Sequence, residues 1–335
     1  MARCGPIPAL IAHGGAGARS PAAEHAERRH GLIDAVRRGT AILRDGGSAL
    51  DAVVATVAAL ENHPLFNAGC GSLLTNDGTV EMDASVMLAS PPGAPMIRGT
   101  QLRRGGIHAP ARGVLVSAGA VAGVSRVRNP VMLARAVMEK TPHVLMAGPA
   151  AERFAKRAGL ELCRPAELIT SRARERWLAR QRGANAAQPD AAAGHGTVGA
   201  VAIDSRGALA AATSTGGVPG KIAGRVGDSA IIGAGTFAGA PGAASATGHG
   251  ETIIIAALCR EAVMALENSS PLVVARRAIA ELVAVAGSQA GIIIVDRRGR
   301  FGFAHNASSM QVAVFEPPSR IRHLWLEPIA PPKPQ

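Results

Sequence analysis

Gly194-His195-Gly196-Thr197-Val198-Gly199-Ala200-Val201-Ala202-Ile203-Asp204 changes character partway along. Just upstream, residues 183–194 run Gly-Ala-Asn-Ala-Ala-Gln-Pro-Asp-Ala-Ala-Ala-Gly, small or polar and without an apolar period. Such a stretch has little to bury and reads as a flexible linker, spanning about 183–196. From Thr197 the pattern becomes a β-strand over 197–203, a turn over 204–207 and a second strand over 208–214. Cleavage of the Gly196–Thr197 bond would leave Thr197 with a free α-amine beside its own hydroxyl. An α-amine titrates near about 7.7–8.0, so a good fraction is neutral near pH 7. Base and nucleophile would then share one residue. Gly at 196 tolerates a strained conformation and leaves the scissile carbonyl open to attack. Taken alone, the stretch also allows Thr197 to be an ordinary β-branched residue that begins a strand.

Working outward, residues 8–12 read as a short buried strand entering His13-Gly14-Gly15-Ala16-Gly17. That segment lacks the spacings of phosphate-cradling loops and reads as a turn packed near the active centre. A helical period covers 24–44. Ser48 is a candidate cap for a helix through about Glu61, with Asp51 three residues on, and His63-Pro64 stops it. Residues 80–88 and 114–121 read as strands, and Pro/Arg-rich 91–113 as a loop or hairpin excursion. Asn129-Pro130 opens a helix to about Lys140, followed by helices at 150–158 and 172–182. Downstream come helices over 250–266 and 271–286, a hairpin of 291–295 with 301–304, and a disordered tail over 331–335. Strands near both ends with paired helices between them imply a layered α/β fold.

Composition narrows the function classes. Of 335 residues 47% are apolar but only 2% aromatic, with no Tyr, so Ala, Val, Ile and Leu must fill the core. No apolar run approaches the roughly 18 residues of a membrane span, and the N-terminus does not read as a secretion signal. A cytoplasmic protein with no membrane partner is expected. Cys4, Cys70, Cys163 and Cys259 are scattered, which indicates neither a zinc site nor a disulfide framework. The net charge of +12 sits mostly before residue 197, at Arg98, Arg103, Arg104, Arg112 and across 153–182. It can attract anions. No aromatic residues interleave with it as a single-strand binder would require, so nucleic acid is not expected.

Three further motifs carry chemistry. Thr213-Ser214-Thr215-Gly216-Gly217 ends a strand in hydroxyls. In Gly224-Arg225-Val226-Gly227-Asp228 a guanidinium and a carboxylate could grip the two ends of an amino acid, although a surface ion pair has the same pattern. Ala246-Thr247-Gly248-His249-Gly250-Glu251 opens a helix whose free N–H groups, with the Thr247 hydroxyl, suit an oxyanion. Glu251 favours a helix N-terminus over an acid role.

Together with Ile11–Gly17, Pro64–Gly69, Met82-Asp83-Ala84, Gly119–Gly123 and Arg128-Asn129-Pro130, these motifs resemble the plant-type L-asparaginase and isoaspartyl peptidase family of N-terminal nucleophile hydrolases. The resemblance covers most of the chain and implies a four-layer αββα sandwich. It also implies a single domain cut into an α subunit, 1–196, and a β subunit, 197–335, that assembles as a homodimer of αβ heterodimers. Thr197 would be nucleophile and base, and Thr215 would orient it. Thr247 and Gly248 would hold the oxyanion, and Gly248 and Gly250 would contact substrate. Asn67 would assist cleavage or the oxyanion, and Arg225 and Asp228 would grip the aspartyl group. The carbonyls of Leu60, Glu61, His63, Phe66, Ala68 and Cys70 would wrap a sodium ion, with no organic cofactor. The implied substrates are isoaspartyl dipeptides and asparagine. Glycosylasparaginase, a threonine-aspartase-like protease, and a non-catalytic basic binding protein are the alternatives.

Overall fold

The computed structural model describes residues 7–91, 109–111, 113–183, 196–316, 320–325 and 328–329. Most of the linker with His195, residues 92–108 and 112 of the Arg-rich excursion, and the 331–335 tail lie outside the described residues. In chain order the strands and helices are β1 (Ala9–Gly17), α1 (Ala22–Arg44), α2 (Ala49–Glu61), β2 (Met82–Ser90), β3 (Ala109–Ala111), β4 (Val114–Val124), α3 (Pro130–Lys140), β5 (Leu145–Ala147), α4 (Gly148–Arg157) and α5 (Ser171–Gln181). After the linker follow β6 (Val198–Ile203), β7 (Leu209–Thr215), β8 (Thr236–Gly239), β9 (Gly242–Gly248), α6 (Gly250–Ala256), α7 (Leu258–Ala265), α8 (Pro271–Ala286), β10 (Ala290–Asp296), β11 (Phe301–His305), β12 (Ser309–Glu316) and β13 (Arg320–Trp325).

Among the described residues the strands form two sheets. The larger runs β13-β12-β1-β6-β7-β2-β4-β3, with β5 added in parallel to β4. The smaller runs β11-β10-β9-β8. The chain's two ends meet because β1 lies between β12 and β6.

Strand alternation explains how these sheets are covered. Leu10, Ala12, Ala200 and Ala202 face Leu32, Val53 and Leu133 of α1, α2 and α3. Ile11, Val201, Ile203 and Ala211 face the other way, onto Ala243, Ile293 and Val295 of the small sheet. In β10 the alternate residues Ile292 and Ile294 pack on Ile253, Val263 and Ile279 of α6, α7 and α8. The continuous apolar run of β10 is therefore a strand buried on both faces.

Local signals hold at several elements. The Ser48 hydroxyl oxygen accepts from the Asp51 N–H at 3.0 Å and its proton goes to the Asp51 carboxylate at 2.6 Å, which caps α2. Three expectations need correction. The His13-Gly14-Gly15 segment is no turn: β1 continues to Gly17 with a bulge between His13 and Ala16, because β12 keeps pairing with it beyond the point where β6 stops. The expected helix over 250–266 breaks at Ala257, which has φ +46. The break lets the N–H groups of Cys259 and Arg260 bond the carbonyls of Ala234 and Gly233. Residues 246–248 do not open that helix; they end β9.

Ile293 sits where the two sheets face each other. Ile293→Ala should lower unfolding free energy by about 2–5 kcal/mol, read from the urea midpoint at constant slope. A midpoint unchanged from wild type would rule out the inter-sheet core.

Candidate active site

β6 and β7 run antiparallel with Val198 opposite Ser214. Their extension sets Thr197 against Thr215, and the Thr197 hydroxyl donates to Thr215 Oγ1 at 3.1 Å. Thr215 Oγ1 also accepts from the Gly217 N–H at 3.0 Å. Its own proton therefore remains available, and the Thr197 hydroxyl is held in one rotamer. Both residues are buried.

Gly196 precedes Thr197, and its carbonyl accepts from the backbone N–H of Asn67 at 3.2 Å. The Asn67 side chain is occupied elsewhere: Nδ2 donates to the Gly217 carbonyl at 2.7 Å and Oδ1 accepts from the Leu73 N–H at 2.8 Å. Asn67 thus locks its loop to the end of β7 and aims its main-chain donor at Gly196. A Cβ on Gly196 would lie 2.7 Å from the Asn67 Cβ. Gly196 is not among the glycines with positive φ. Close approach, not backbone strain, is what requires glycine there.

His13 was not expected to act, yet its ring hydrogen-bonds the Thr197 backbone. Burial pushes its pKa down to about 3, with the Thr197 bond opposing the shift, so the ring is neutral across the physiological range. Its Nε2 lies 3.1 Å from Ser245 Oγ. A seam of hydroxyls continues from there between the sheets: Ser245 to Thr213 at 2.7 Å, Thr213 to Thr236 at 2.6 Å, Thr236 to Ser85 at 2.8 Å. Ser85 closes it on the Ser229 carbonyl at 2.6 Å. Ser229 follows Asp228, so one seam ties the Thr197 end of the site to the Asp228 end. Thr213 lies in the hydroxyl-rich motif read from the sequence, but no sequence signal marks Ser85, Thr236 or Ser245, because each looks like a routine strand residue.

Asp228 is fully buried, and its Oδ2 has no hydrogen-bond partner among the described residues. Burial raises its pKa to about 7, against the lowering effect of the Arg225 guanidinium. A Cβ on Gly250 would lie 2.7 Å from Arg225 Nη2 and 2.9 Å from Asp228 Oδ1. Gly250 therefore lets the helix α6 terminus approach both groups. Arg225 Nε donates to Glu251 Oε1 at 2.9 Å; Nη2 lies 2.8 Å from the same oxygen as an ion pair but makes no hydrogen bond among the described residues. Glu251 is thus more than a favourable charge at a helix start. Asp83, also missed as a site residue, accepts from the Gly123 and Gly227 N–H groups, both at 2.9 Å, and so pins the loop carrying Arg225 and Asp228 to the large sheet.

Thr247 and Gly248 end β9, and the Thr247 oxygen accepts from the Ala16 N–H at 3.2 Å. That leaves the Thr247 proton free to donate. Arg225, Asp228 and Gly250 adjoin, and Thr197, Thr215, Asn67 and Gly196 adjoin; the hydroxyl seam and the β1 bulge link these groups with Thr247.

A family model described as asparaginase matches residues 6–93 and 112–322. The chain belongs to the asparaginase family. It is 42% identical over 317 residues to the isoaspartyl peptidase of Escherichia coli, across 90% of this chain and 91% of that protein. It is 40% identical over 306 residues to the isoaspartyl peptidase/L-asparaginase of Bos taurus and 39% to that of Homo sapiens, each across 90% of this chain and 91% of the relative. The gap in the family match falls on the Pro/Arg-rich excursion. No helix among the described residues is long and apolar enough to cross a membrane.

Asp228 titrates near 7 in the fold against a free value of 3.8. A raised carboxyl pKa means that the folded state binds more protons over that interval, so this group's contribution to stability falls as pH rises through it. Asp228→Asn should therefore gain in melting temperature relative to wild type from pH 4 to pH 7 and then hold level. A constant difference across the range would contradict the burial of an ionisable Asp228.

Proposed function

We propose that the chain is an autoprocessed amidohydrolase that cleaves isoaspartyl dipeptides and the side-chain amide of asparagine with Thr197 as nucleophile. The observation that carries this reading is the Thr197–Thr215 hydroxyl bond directly beside a Gly196 carbonyl that already receives the Asn67 N–H.

The first reaction is on the chain itself. Thr197 Oγ attacks the Gly196 carbonyl carbon, and the Asn67 N–H stabilises the charge that develops on its oxygen. The Thr197 hydroxyl proton ends on the Thr197 nitrogen as the C–N bond breaks, giving an ester and a free Thr197 amine, and water resolves the ester. Residues 1–196 and 197–335 then remain as α and β subunits of one domain. The three stacked cores support a four-layer αββα arrangement of that domain.

In the second reaction the substrate is held by its head group. Arg225 pairs with the α-carboxylate in exchange for part of its contact with Glu251, and the unpaired Asp228 oxygen accepts the α-ammonium. Gly250 leaves space for that amine and Gly248 contacts the same group. The α-amine of Thr197 takes the hydroxyl proton, Oγ bonds to the β-carbonyl carbon, and the Thr247 proton and the Gly248 N–H stabilise the oxyanion. The α-amine passes its proton to the departing nitrogen as the C–N bond breaks. Water then attacks the β-aspartyl ester, and aspartate leaves. Asparagine and β-aspartyl peptides share this β-carbonyl, so a single grip serves both.

Two wider features belong to the same reading. Backbone carbonyls of Leu60, Glu61, His63, Phe66, Ala68 and Cys70 are neutral hard donors of the kind sodium prefers. The chain folds tightly there: a Cβ at Gly69 would fall 2.2 Å from the Glu61 carbonyl oxygen, and one at Gly71 would fall 1.9 Å from that of Phe66. Ile255 and Val285, almost fully exposed, support an apolar contact between two αβ units.

Purified protein should separate on a denaturing gel into two chains, the second beginning at Thr197. Thr197→Ala should remain one chain and release no ammonia from asparagine; ammonia release by that variant would eliminate the mechanism. Gly196→Ala should slow cleavage at least tenfold, equivalent to about 1.4 kcal/mol of barrier, by pushing residue 196 off the Asn67 donor. Cleavage of Gly196→Ala at the wild-type rate on a time-course gel would count against that role for Asn67.

A further inference from the structure

On the far side of Gly196 from β6 lies a cavity lined by Gly196, Asn67, Arg28, Arg172, Arg176 and Gln311, among others. None of the described lining residues is acidic. Arg28 donates to the Leu65 carbonyl and to the Gly14 carbonyl at 3.1 Å, and Arg172 joins it on Leu65 at 3.4 Å. The nearest counter-charge is Glu24, 2.8 Å from Arg172. Three guanidinium groups therefore gather around a single carboxylate. The surplus shows in their titration: burial, and then the neighbouring Arg172 charge, lowers Arg176 and brings Arg28 down to about 10. The Gln311 side-chain oxygen is buried on the same wall and has no hydrogen-bond partner among the described residues.

Reaction geometry says what should enter this cavity; the argument rests on the function proposed above. The Thr197 amine must hand its proton to the departing nitrogen, so that nitrogen lies within hydrogen-bond reach of Thr197 N, at about 2.6–3.2 Å. In the uncut chain Thr197 N is bonded to Gly196, and Gly196 lines the cavity. The leaving group therefore projects from Thr197 toward the arginines. In an isoaspartyl dipeptide the departing nitrogen belongs to an amino acid whose α-carboxylate is one carbon away. We propose that Arg28, Arg172 and Arg176 form a leaving-group site that takes this α-carboxylate, so that the protein favours free-acid isoaspartyl dipeptides over substrates whose leaving group is uncharged.

The site makes no contact with the aspartyl head group, which Arg225 and Asp228 hold. It offers nothing to ammonia, the leaving group of asparagine. Removing one guanidinium should therefore weaken dipeptide binding and spare asparagine.

The test measures kcat and KM of cleaved wild type, Arg176→Gln and Arg172→Gln on three substrates: β-Asp-Leu, β-Asp-leucinamide and asparagine. Wild type should prefer the free acid to the amide by about tenfold or more in kcat/KM, the worth of a hydrogen bond to a charged group. Each variant should shrink that preference through KM, with asparagine turnover unchanged as proof of an intact fold and nucleophile. Equal kcat/KM for acid and amide in wild type would overturn the proposal, and would be the result if the new Gly196 carboxylate took the cavity instead. Variants that lose asparagine and dipeptide turnover in parallel would overturn it as well. Failure of cleaved wild type to hydrolyse either asparagine or β-Asp-Leu would remove the proposed function, and the leaving-group site with it.

Discussion

A buried seam of hydroxyls holds the two sheets at one spacing and one register. It passes from His13 through Ser245, Thr213, Thr236 and Ser85 to the Ser229 carbonyl. A hydroxyl stranded in an apolar interior costs about 1–3 kcal/mol, so each member constrains the position of the next. The seam ends on the Thr197 backbone through His13 and beside Asp228 through Ser229. The separation between Thr197 and Asp228 is therefore a property of the sheet packing. This explains the composition of the inner strands: apart from Leu209, β7 and β9 are built of Ala, Gly, Ser and Thr, which let the sheets approach closely enough for short side chains to reach across.

The electrostatics follow from the same burial. A charged imidazole at His13 would sit in the apolar interior, and desolvation keeps the ring neutral. Asp228 faces the opposite demand. Its carboxylate is costly without a partner, and its pKa near 7 records that cost. Arg225 stays oriented through Glu251, and Asp83 fixes the intervening loop through two backbone N–H groups.

Thr197 thus divides two differently charged regions. Toward α6 lie the Arg225 guanidinium and the Asp228 carboxyl group, of opposite charge type. Toward α5 lie the guanidinium groups of Arg28, Arg172 and Arg176, with Glu24 paired to Arg172 among the described residues. The basic stretch over 153–182 contributes Arg172 and Arg176 to that second wall.

The sequence by itself determined the elements whose signals are local. The Ser48 cap, the Pro130 helix start, the two strands on either side of the turn at Asp204 and the doubly apolar β10 are set by near neighbours in the chain. It also determined the family, because the motifs around Thr197, Thr215, Arg225, Asp228 and Thr247 recur in fixed order. Only the tertiary structure decided the rest. The role of His13 depends on a partner 232 residues away, Ser245. The break at Ala257 depends on carbonyls of the Gly233–Ala234 turn, and β9 is a strand whose mostly small residues carry little strand preference of their own. Gly196 looked like a concession to strain, and the fold makes it a matter of space beside Asn67. Such features arise where distant segments meet, and a one-dimensional pattern has no means to encode which segments those are.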